Sequence, residues 1–351
     1  MYPTVDTDTL VDAPDLHGRV ARIFLRCGMS DRDANLLAET LVAADARGVH
    51  SHGVMRVPDY VKKLTHDGVN PRGRPHIVND HRAAITVDGG NAMGQIACEF
   101  AMREAIARAG DFGLCAAAVR GSNHCGALFY YAMQALPVNM IGIAATNALP
   151  TMAPWGGRDK ILGINPLAAA IPALKEPAIV FDAAFSASSH GKIRIYHQKG
   201  LPIPDGWAFD EDGVATTDAA RALSGLLQPI GTFKGTGLAI VTGVLSSLLS
   251  GAAFGAELGN MVDGARPGQD GQFLLAIDIA AFEDPAWFRE RVDAIVGQVR
   301  ASSPAPGFTR CYSPGELEQE TELRFRRDGI PLAALTLAGL DEVERKLTKG
   351  G

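Results

Sequence analysis

Leu114-Cys-Ala-Ala-Ala-Val-Arg-Gly-Ser-Asn-His-Cys-Gly126 begins apolar and ends in a polar turn held between two glycines. A run this short, bounded by turn residues, reads as a buried strand over 114–119. The residues after it read as a helix over 127–136. The polar group therefore sits at a crossing from strand to helix, where rigid elements on both sides can position it. The glycines do not spell G-x-G-x-x-G, and no such fingerprint follows a strand elsewhere in the chain. Strands and helices alternate around this point, yet a standard dinucleotide-binding fold is disfavoured.

Working outward, apolar spacing predicts helices over 16–27, 31–47, 54–66 and 95–109, with Ser30 as N-cap of the second. It places Val57, Tyr60, Val61 and Leu64 on the inner side of the third. Strands are expected over 83–87, 140–145, 167–171, 178–181 and 273–277. Further helices are expected over 238–249, 287–300, 316–327 and 340–347. The apolar stretch 237–253 is interrupted by glycine, serine and threonine and is too short to cross a membrane. It reads as a buried helix whose small residues allow close packing. Residues 146–166 and 183–215 show no clear period, and loops of that length in a compact domain are usually functional.

At 351 residues the prior is two domains. Hydrophobic residues at 47% and charged residues at 21% are ordinary globular usage. A net charge of −6 argues against a general nucleic-acid binder. The five cysteines, Cys27, Cys98, Cys115, Cys125 and Cys311, are odd in number and form no C-x-x-C, which disfavours a zinc site or a disulfide framework. Reduced thiols in a cytoplasmic protein are the expectation. The first residues show neither a basic nor an apolar region, so no secretory signal is read there. P-loop, G-x-S-x-G and H-E-x-x-H signatures are absent.

Four places can carry chemistry. His50-Ser-His52-Gly53, with Arg56 after it, suits proton exchange beside a guanidinium that grips a carboxylate through paired hydrogen bonds. The same spacing suits a metal, or plain structural histidines. In 121–126, His124 is a candidate donor or base with Ser122 and Asn123 orienting it. Equally, the Asn and Ser cap a helix. Asp182 opens a small-residue run reaching Lys192, and Lys234 lies between Gly231 and Gly237. Both suit close approach to phosphate or ribose, and both suit a flexible connection or a helix start. His17, His66, His76, His81 and His197 read as surface residues.

ADARGVHSHGVMRVPDYV (44–61) resembles the leading signature of the malate/L-lactate dehydrogenase type 2 family. That family also includes ureidoglycolate, sulfolactate, diketogulonate and cyclic-imine reductases. The similarity continues through RGSNHCGAL, TNALPTMAPWGGRDKILGINPLA, the segment from Asp182 to Lys192, LPIPDGWAFDEDGVATTD, FKGTGLA, FLLAIDIAAF, VRASSPAPG and SPGELE. It spans roughly residues 15–335.

The resemblance implies an α/β fold with a family-specific mixed, largely antiparallel sheet and flanking helices, not a standard Rossmann fold. It implies residues 1–120, completed by 305–351, as a helical substrate side, and 121–304 as the NAD(P)-binding domain. It implies hydride transfer between NAD or NADP and C2 of a 2-hydroxy or 2-oxo acid, in a cytoplasmic homodimer without metal, nucleic acid or membrane partner. On this pattern His124 is the favoured proton-transfer residue, His52 and Ser51 polarise the substrate, and Arg56 holds its carboxylate. Asp182, Ala183, Ala184, Ser186, Lys234, Gly315 and Glu316 match cofactor positions. Phe185, where the family has a hydroxyl residue, is expected to cost a cofactor hydrogen bond. Ala148 and His190 also depart from the pattern, and all three are expected to line the pocket. The alternatives are a cyclic-imine reductase with the same machinery, a metal-dependent hydrolase using His50, His52, His124 and Asp182, and a non-catalytic relative.

Overall fold

The computed structural model describes residues 8–198 and 200–349. Its centre is a seven-stranded sheet in the order His76–Asp80, Ala84–Asp88, Leu114–Ser122, Asp270–Asp278, Met140–Thr146, Leu167–Ile171, Ile179–Ala183. Ala84–Asp88 and Leu114–Ser122 run parallel, and the other neighbours antiparallel. The parallel pair has a local cause. The helix Gly94–Phe112 lies between those strands in sequence, and parallel strands need such a crossover. The sheet is mixed, largely antiparallel and flanked by helices, as the resemblance implies. Five short strands, including Pro150–Met152 and Leu162–Gly163, form a second sheet, and Thr9–Val11 pairs with Ile330–Leu332.

The central strands are rich in alanine because both faces are covered closely. Ala117, Ala144, Ala168, Ala170 and Ala276 are fully buried. At Gly142 a Cβ would fall 2.0 Å from the Ala132 carbonyl oxygen, so only glycine lets that segment pack on the sheet. A second core joins the N-terminal helices to the C-terminal ones: Leu16, Phe24, Leu37, Leu41 and Tyr60 cluster with Phe325 and Leu340. Helix Asp31–Ala46 starts as expected, with Ser30 Oγ accepting from the Asp33 N–H at 3.2 Å. Such a cap contributes about 1 kcal/mol.

Several elements differ from expectation. The helix expected over 127–136 is Phe129–Ala132 followed by a tighter turn, Met133–Val138, with Pro137 inside it and Asn139 at φ 57° closing it. Proline lacks the N–H that a continuing helix would donate. The expected 54–66 helix begins at Val57, after two short 3-10 turns at His50–His52 and Val54–Arg56. Helix His190–Gln198 lies inside the stretch read as aperiodic, and the last helix runs the full Ala334–Lys349.

The expected buried helix after residue 237 is amphipathic in an inverted sense. It forms Phe233–Gly243 and a wider turn, Val244–Leu248. Its small residues Gly235, Thr236, Ala239, Gly243, Ser246 and Ser247 face inward, while Leu238, Val241, Leu248 and Leu249 are exposed. Close approach explains the inversion: a Cβ on Gly243 would lie 2.6 Å from Asn165 Nδ2, and one on Gly271 2.0 Å from the Ser246 carbonyl oxygen. Among the described residues no helix is long and apolar enough to cross a membrane.

Candidate active site

The 44–61 signature is organised around a carboxylate. Asp45, in the last turn of Asp31–Ala46, is 1% exposed. Its Oδ1 lies 2.7 Å from His50 Nδ1, and its Oδ2 accepts the Val54 N–H at 2.7 Å. Burial raises its pKa against the pull of His50. A Cβ on Gly53 would strike this carboxylate at 2.1 Å, so the glycine of the SHG run is required by Asp45. With His50 tied to Asp45, the short turn aims the next residues elsewhere. Ser51 Oγ sits 2.9 Å from His52 Nδ1, and Arg56 Nε donates to the Ser51 carbonyl at 2.7 Å. Arg56 also reaches Asp59 at 3.3 Å.

The second histidine comes from the strand-end turn. Asn123 is spent on structure: Nδ2 donates to Asn91 Oδ1 at 3.0 Å and to the Ala92 carbonyl at 2.8 Å, and Oδ1 accepts the Gly268 N–H at 2.8 Å. That clamp fixes His124, whose ring stacks on His52 with centroids 5.7 Å apart and planes 16° apart. Tyr60 Oη meets His124 Nδ1 at 2.7 Å, and Gln95 Nε2 donates to Tyr60 Oη at 3.1 Å. In this direction Tyr60 gives its hydrogen to Nδ1 and the imidazole proton sits on Nε2. The Gly126 N–H also donates to Nδ1, at 3.3 Å, so two partners hold that nitrogen as an acceptor.

Both imidazoles are neutral at pH 7. Burial, then the Arg56 charge, pushes His52 down to about 4. Burial, then His52 and Arg56, holds His124 well below the usual imidazole range. Two rings this close in a poorly solvated site cannot both become imidazolium, so they take up one extra proton between them at most.

Two cavities meet here. One, of about 510 Å³, is lined by His52, Arg56, Tyr60, His124, Lys63 and Asp270 among others, and by Ala148 and His190. The other, of about 590 Å³, is lined by Ser51, His52, Asp182, Ala183, Ala184 and Gly315 among others. His52 and Gly126 belong to both. Asp182 is open to the second cavity yet surrounded by protein. Loss of solvation lifts it to about 6 even though its Oδ2 accepts the Phe129 N–H at 2.8 Å.

The second cavity fits a nicotinamide dinucleotide. Its floor is small side chains, and Gly315, at φ 86°, leaves no room for a Cβ, which would lie 2.7 Å from the Val180 carbonyl oxygen. Asp182 supplies an acceptor, and Lys192 a cation on the wall. The other expected cofactor residues lie apart. Ser186 donates to the Ser188 carbonyl at 2.6 Å. Glu316 is buried in ion pairs with Arg300 at 3.0 Å and Arg310 at 2.8 Å, and accepts the Ser313 N–H at 3.0 Å. It braces the loop that leads to Gly315. Lys234 is exposed and lines neither cavity. The expectation that Phe185 lines the pocket is corrected: it packs with Met152, Leu162 and Ala239. A large apolar ring is better accommodated by that cluster than by a polar cavity wall.

The histidines and Asp182 do not converge as a metal site. Among the described residues no group of three or more His, Cys, Asp or Glu is placed to hold a metal ion. Sequence reasoning missed Asp45, Gln95, Lys63 and Asp270, and it took Tyr60 for core. Arg47 was also missed. It is buried on the wall of the second cavity, bridged to Glu322 at 2.9 Å and stacked over Phe129 at 4.8 Å. A signal existed for Asp45, an acidic residue among inward positions of an apolar helix face.

Sheet, signature and paired cavities define the class: an α/β oxidoreductase built off the standard dinucleotide fold. The chain belongs to the malate/L-lactate dehydrogenase family, whose model matches residues 11–341. It is 34% identical over 339 residues to the malate dehydrogenase of Pyrococcus horikoshii, covering 93% of this chain and 92% of that protein. The structure of sulfolactate dehydrogenase from Methanocaldococcus jannaschii superposes with a TM-score of 0.92 at 33% identity, covering 97% of this chain and 98% of that one. Δ1-Piperideine-2-carboxylate reductase from Pseudomonas syringae superposes with a TM-score of 0.85 at 30% identity, covering 95% and 99%. The relatives are dehydrogenases and reductases, and this chain is an oxidoreductase acting on CH–OH or C=N.

Proposed function

We propose that this protein is an NAD- or NADP-dependent dehydrogenase that interconverts a 2-hydroxy acid and its 2-oxo acid. The supporting observation is that His52 borders both cavities, with Arg56 and His124 in the first and Asp182, Ala183 and Ala184 in the second. A substrate gripped by Arg56 therefore presents C2 toward the junction. Arg56 still has N–H groups to give a carboxylate after its bond to Ser51. His124 exchanges a proton through Nε2 with the substrate oxygen, while the Tyr60 hydroxyl and the Gly126 N–H hold Nδ1 and fix the ring. His52, held by Ser51, polarises the same oxygen. When bound in the second cavity, the nicotinamide supplies or takes up the hydride.

In the same proposal, residues 1–120 with 305–351 form the substrate side and 121–304 the cofactor side. The enzyme is a cytoplasmic homodimer, with the exposed apolar face of Phe233–Gly243 covered by its second copy. A cyclic-imine reductase is the second reading, since relatives include pyrroline- and piperideine-2-carboxylate reductases and the same histidine would serve nitrogen.

The test mixes purified protein with NADH and, separately, NADPH, and follows absorbance loss against 2-oxo acids and cyclic 2-carboxy imines, with and without chelator. Oxidation by an oxo acid, indifferent to chelator, is the expected result and selects the cofactor. Oxidation by imines alone would replace this proposal with the second reading.

A further inference from the structure

The charged side chains that line the second cavity are Arg47, Asp182, Lys192 and Glu318. Hydride transfer to a substrate in the first cavity needs the nicotinamide at the junction, beside His52. The adenosine half of the dinucleotide then lies along wall that belongs to the second cavity alone, which includes Val180, Phe181, Tyr312 and Glu318.

The cations of this region are already engaged. Lys192 follows Gly191, where a Cβ would come 3.8 Å from Ser51 Cβ, so it enters at the His52 end, and its Nζ rests 4.7 Å over the Trp207 ring. Arg47 is 4% exposed and bridged to Glu322 at 2.9 Å, and its Nε is sealed from solvent. Arg310 stacks over Tyr312 at 4.1 Å and is held by Glu316 at 2.8 Å and Glu320 at 2.5 Å. Each of these two arginines therefore has its acid.

Glu318 has no such cation. It is half-buried, and among the described residues its carboxylate takes part in no ion pair or hydrogen bond. Its charge is felt at Asp182, whose protonation it favours. The helix Glu316–Asp328 begins here, and a helix N-terminus attracts phosphate. Two acids of the chain itself, Glu316 and Glu318, already stand in that first turn. An unpaired carboxylate on a cavity wall accepts from a hydroxyl and repels an anion. The two nicotinamide dinucleotides differ in just this respect: one carries a ribose 2′-hydroxyl, the other a 2′-phosphate with roughly two negative charges at pH 7.

We propose that Glu318 accepts a hydrogen bond from the 2′-hydroxyl of the adenosine ribose and makes this protein select NAD over NADP. The inference rests on the dinucleotide-dependent activity proposed above and names its cofactor. An acidic residue on the ribose serves the same purpose in standard dinucleotide folds, although here it stands on a C-terminal helix and not after a second strand.

The test reads binding, by fluorescence titration of the purified protein at constant ionic strength. NADH should bind about 10-fold or more tightly than NADPH, as expected for a like-charge contact relieved. The NADH analogue that lacks the adenosine 2′-hydroxyl should bind about 10-fold more weakly than NADH, in line with a hydrogen bond to a charged group. Glu318→Gln, checked for folding by circular dichroism, should bring NADH and NADPH within about threefold, chiefly by tightening NADPH. Should the variant not fold, the two wild-type comparisons decide. Equal or tighter binding of NADPH by the wild type overturns the assignment. So does undiminished affinity for the deoxy analogue, or an unchanged ratio in folded Glu318→Gln. Oxidation of either cofactor by an oxo acid in those cases shows that the parent reading stands. If neither dinucleotide binds, the parent reading fails and the assignment falls with it.

Discussion

The two cavities that meet at His52 are built in opposite ways. The first is lined by titratable side chains: Arg56, Tyr60, Lys63, His124 and Asp270, most of them held by a named hydrogen bond. The second has a floor of Ala183, Ala184 and Gly315, with its charged groups, Arg47, Asp182, Lys192 and Glu318, set around that floor. One side is organised around a pair of histidines, the other around a floor of small residues. Charged groups act through specific partners, so losing one is felt sharply. A floor of small residues fails only when something larger is put into it.

The sharpest way to break that comparison is His124→Ala. It should lower kcat by about 10²- to 10⁴-fold, the usual range for a general acid–base group. The Kd for NADH or NADPH, measured by fluorescence titration, should hold. Turnover within a few fold of wild type would move proton transfer to His52. Arg56→Ala should come next. It should raise KM for the oxo acid by about 100-fold, in line with roughly 2–5 kcal/mol for a truncated buried charge pair. An unchanged KM would show that Arg56 does not hold the carboxylate.

Gly53→Ala tests the scaffold beneath the charged side. The added methyl collides with Asp45, and overpacking of this kind costs about 1–3 kcal/mol. Denaturant unfolding should show a lowered midpoint, and an unaltered midpoint would mean that the Asp45 anchor yields. A pH profile sharpens the electrostatic claim. In the oxidation direction the base must be neutral, and protonation as pH falls through its folded-state pKa removes it. With His52 near 4 and His124 also depressed, the histidines should give kcat/KM no acid limb from pH 8 down to about 5, and a limb near 6 that Asp182→Asn removes belongs to Asp182. An acid limb at the ordinary histidine value, about 6.5, that persists in Asp182→Asn would contradict the burial of the pair. The smallest effect on the cofactor cavity belongs to Phe185, which packs away from it. Phe185→Thr should leave cofactor Kd within about threefold, although stability drops by roughly 3–5 kcal/mol, as for truncation of a buried ring. A gain in cofactor affinity would put Phe185 back at the cavity wall.

The charged side was partly legible along the chain. His52, Arg56 and His124 stand in short glycine-bracketed runs whose spacing suggests chemistry, because local turns preserve sequence neighbourhood. Tyr60 looked like core, and its ring is core. Its hydroxyl acquires a role only because His124, 64 positions later, arrives 2.7 Å away. Lys63 and Asp270 are 207 positions apart and line one cavity only because the fold brings their segments together. Phe185 was read by position as a cofactor neighbour, yet a rotation along the chain sends its ring into the Met152 cluster. The inverted helix Phe233–Gly243 misled for a related reason. Apolar content is a property of composition, but which face is buried depends on how near the sheet comes.

By itself the sequence determined the alternation of strands and helices, the lack of a standard dinucleotide fingerprint, the Ser30 cap, and the identity of the residues able to bind a carboxylate or move a proton. These follow from spacing, propensity and side-chain chemistry, all of which act over a few residues. Only the tertiary structure decided which histidine faces which partner, that His50 serves Asp45 while His52 stands between two cavities, and that Glu316 braces a loop while Gly315 lines the cavity. Those outcomes depend on contacts between segments far apart in the chain. Burial there sets charge state and leaves each polar group with the partners that packing brings within reach.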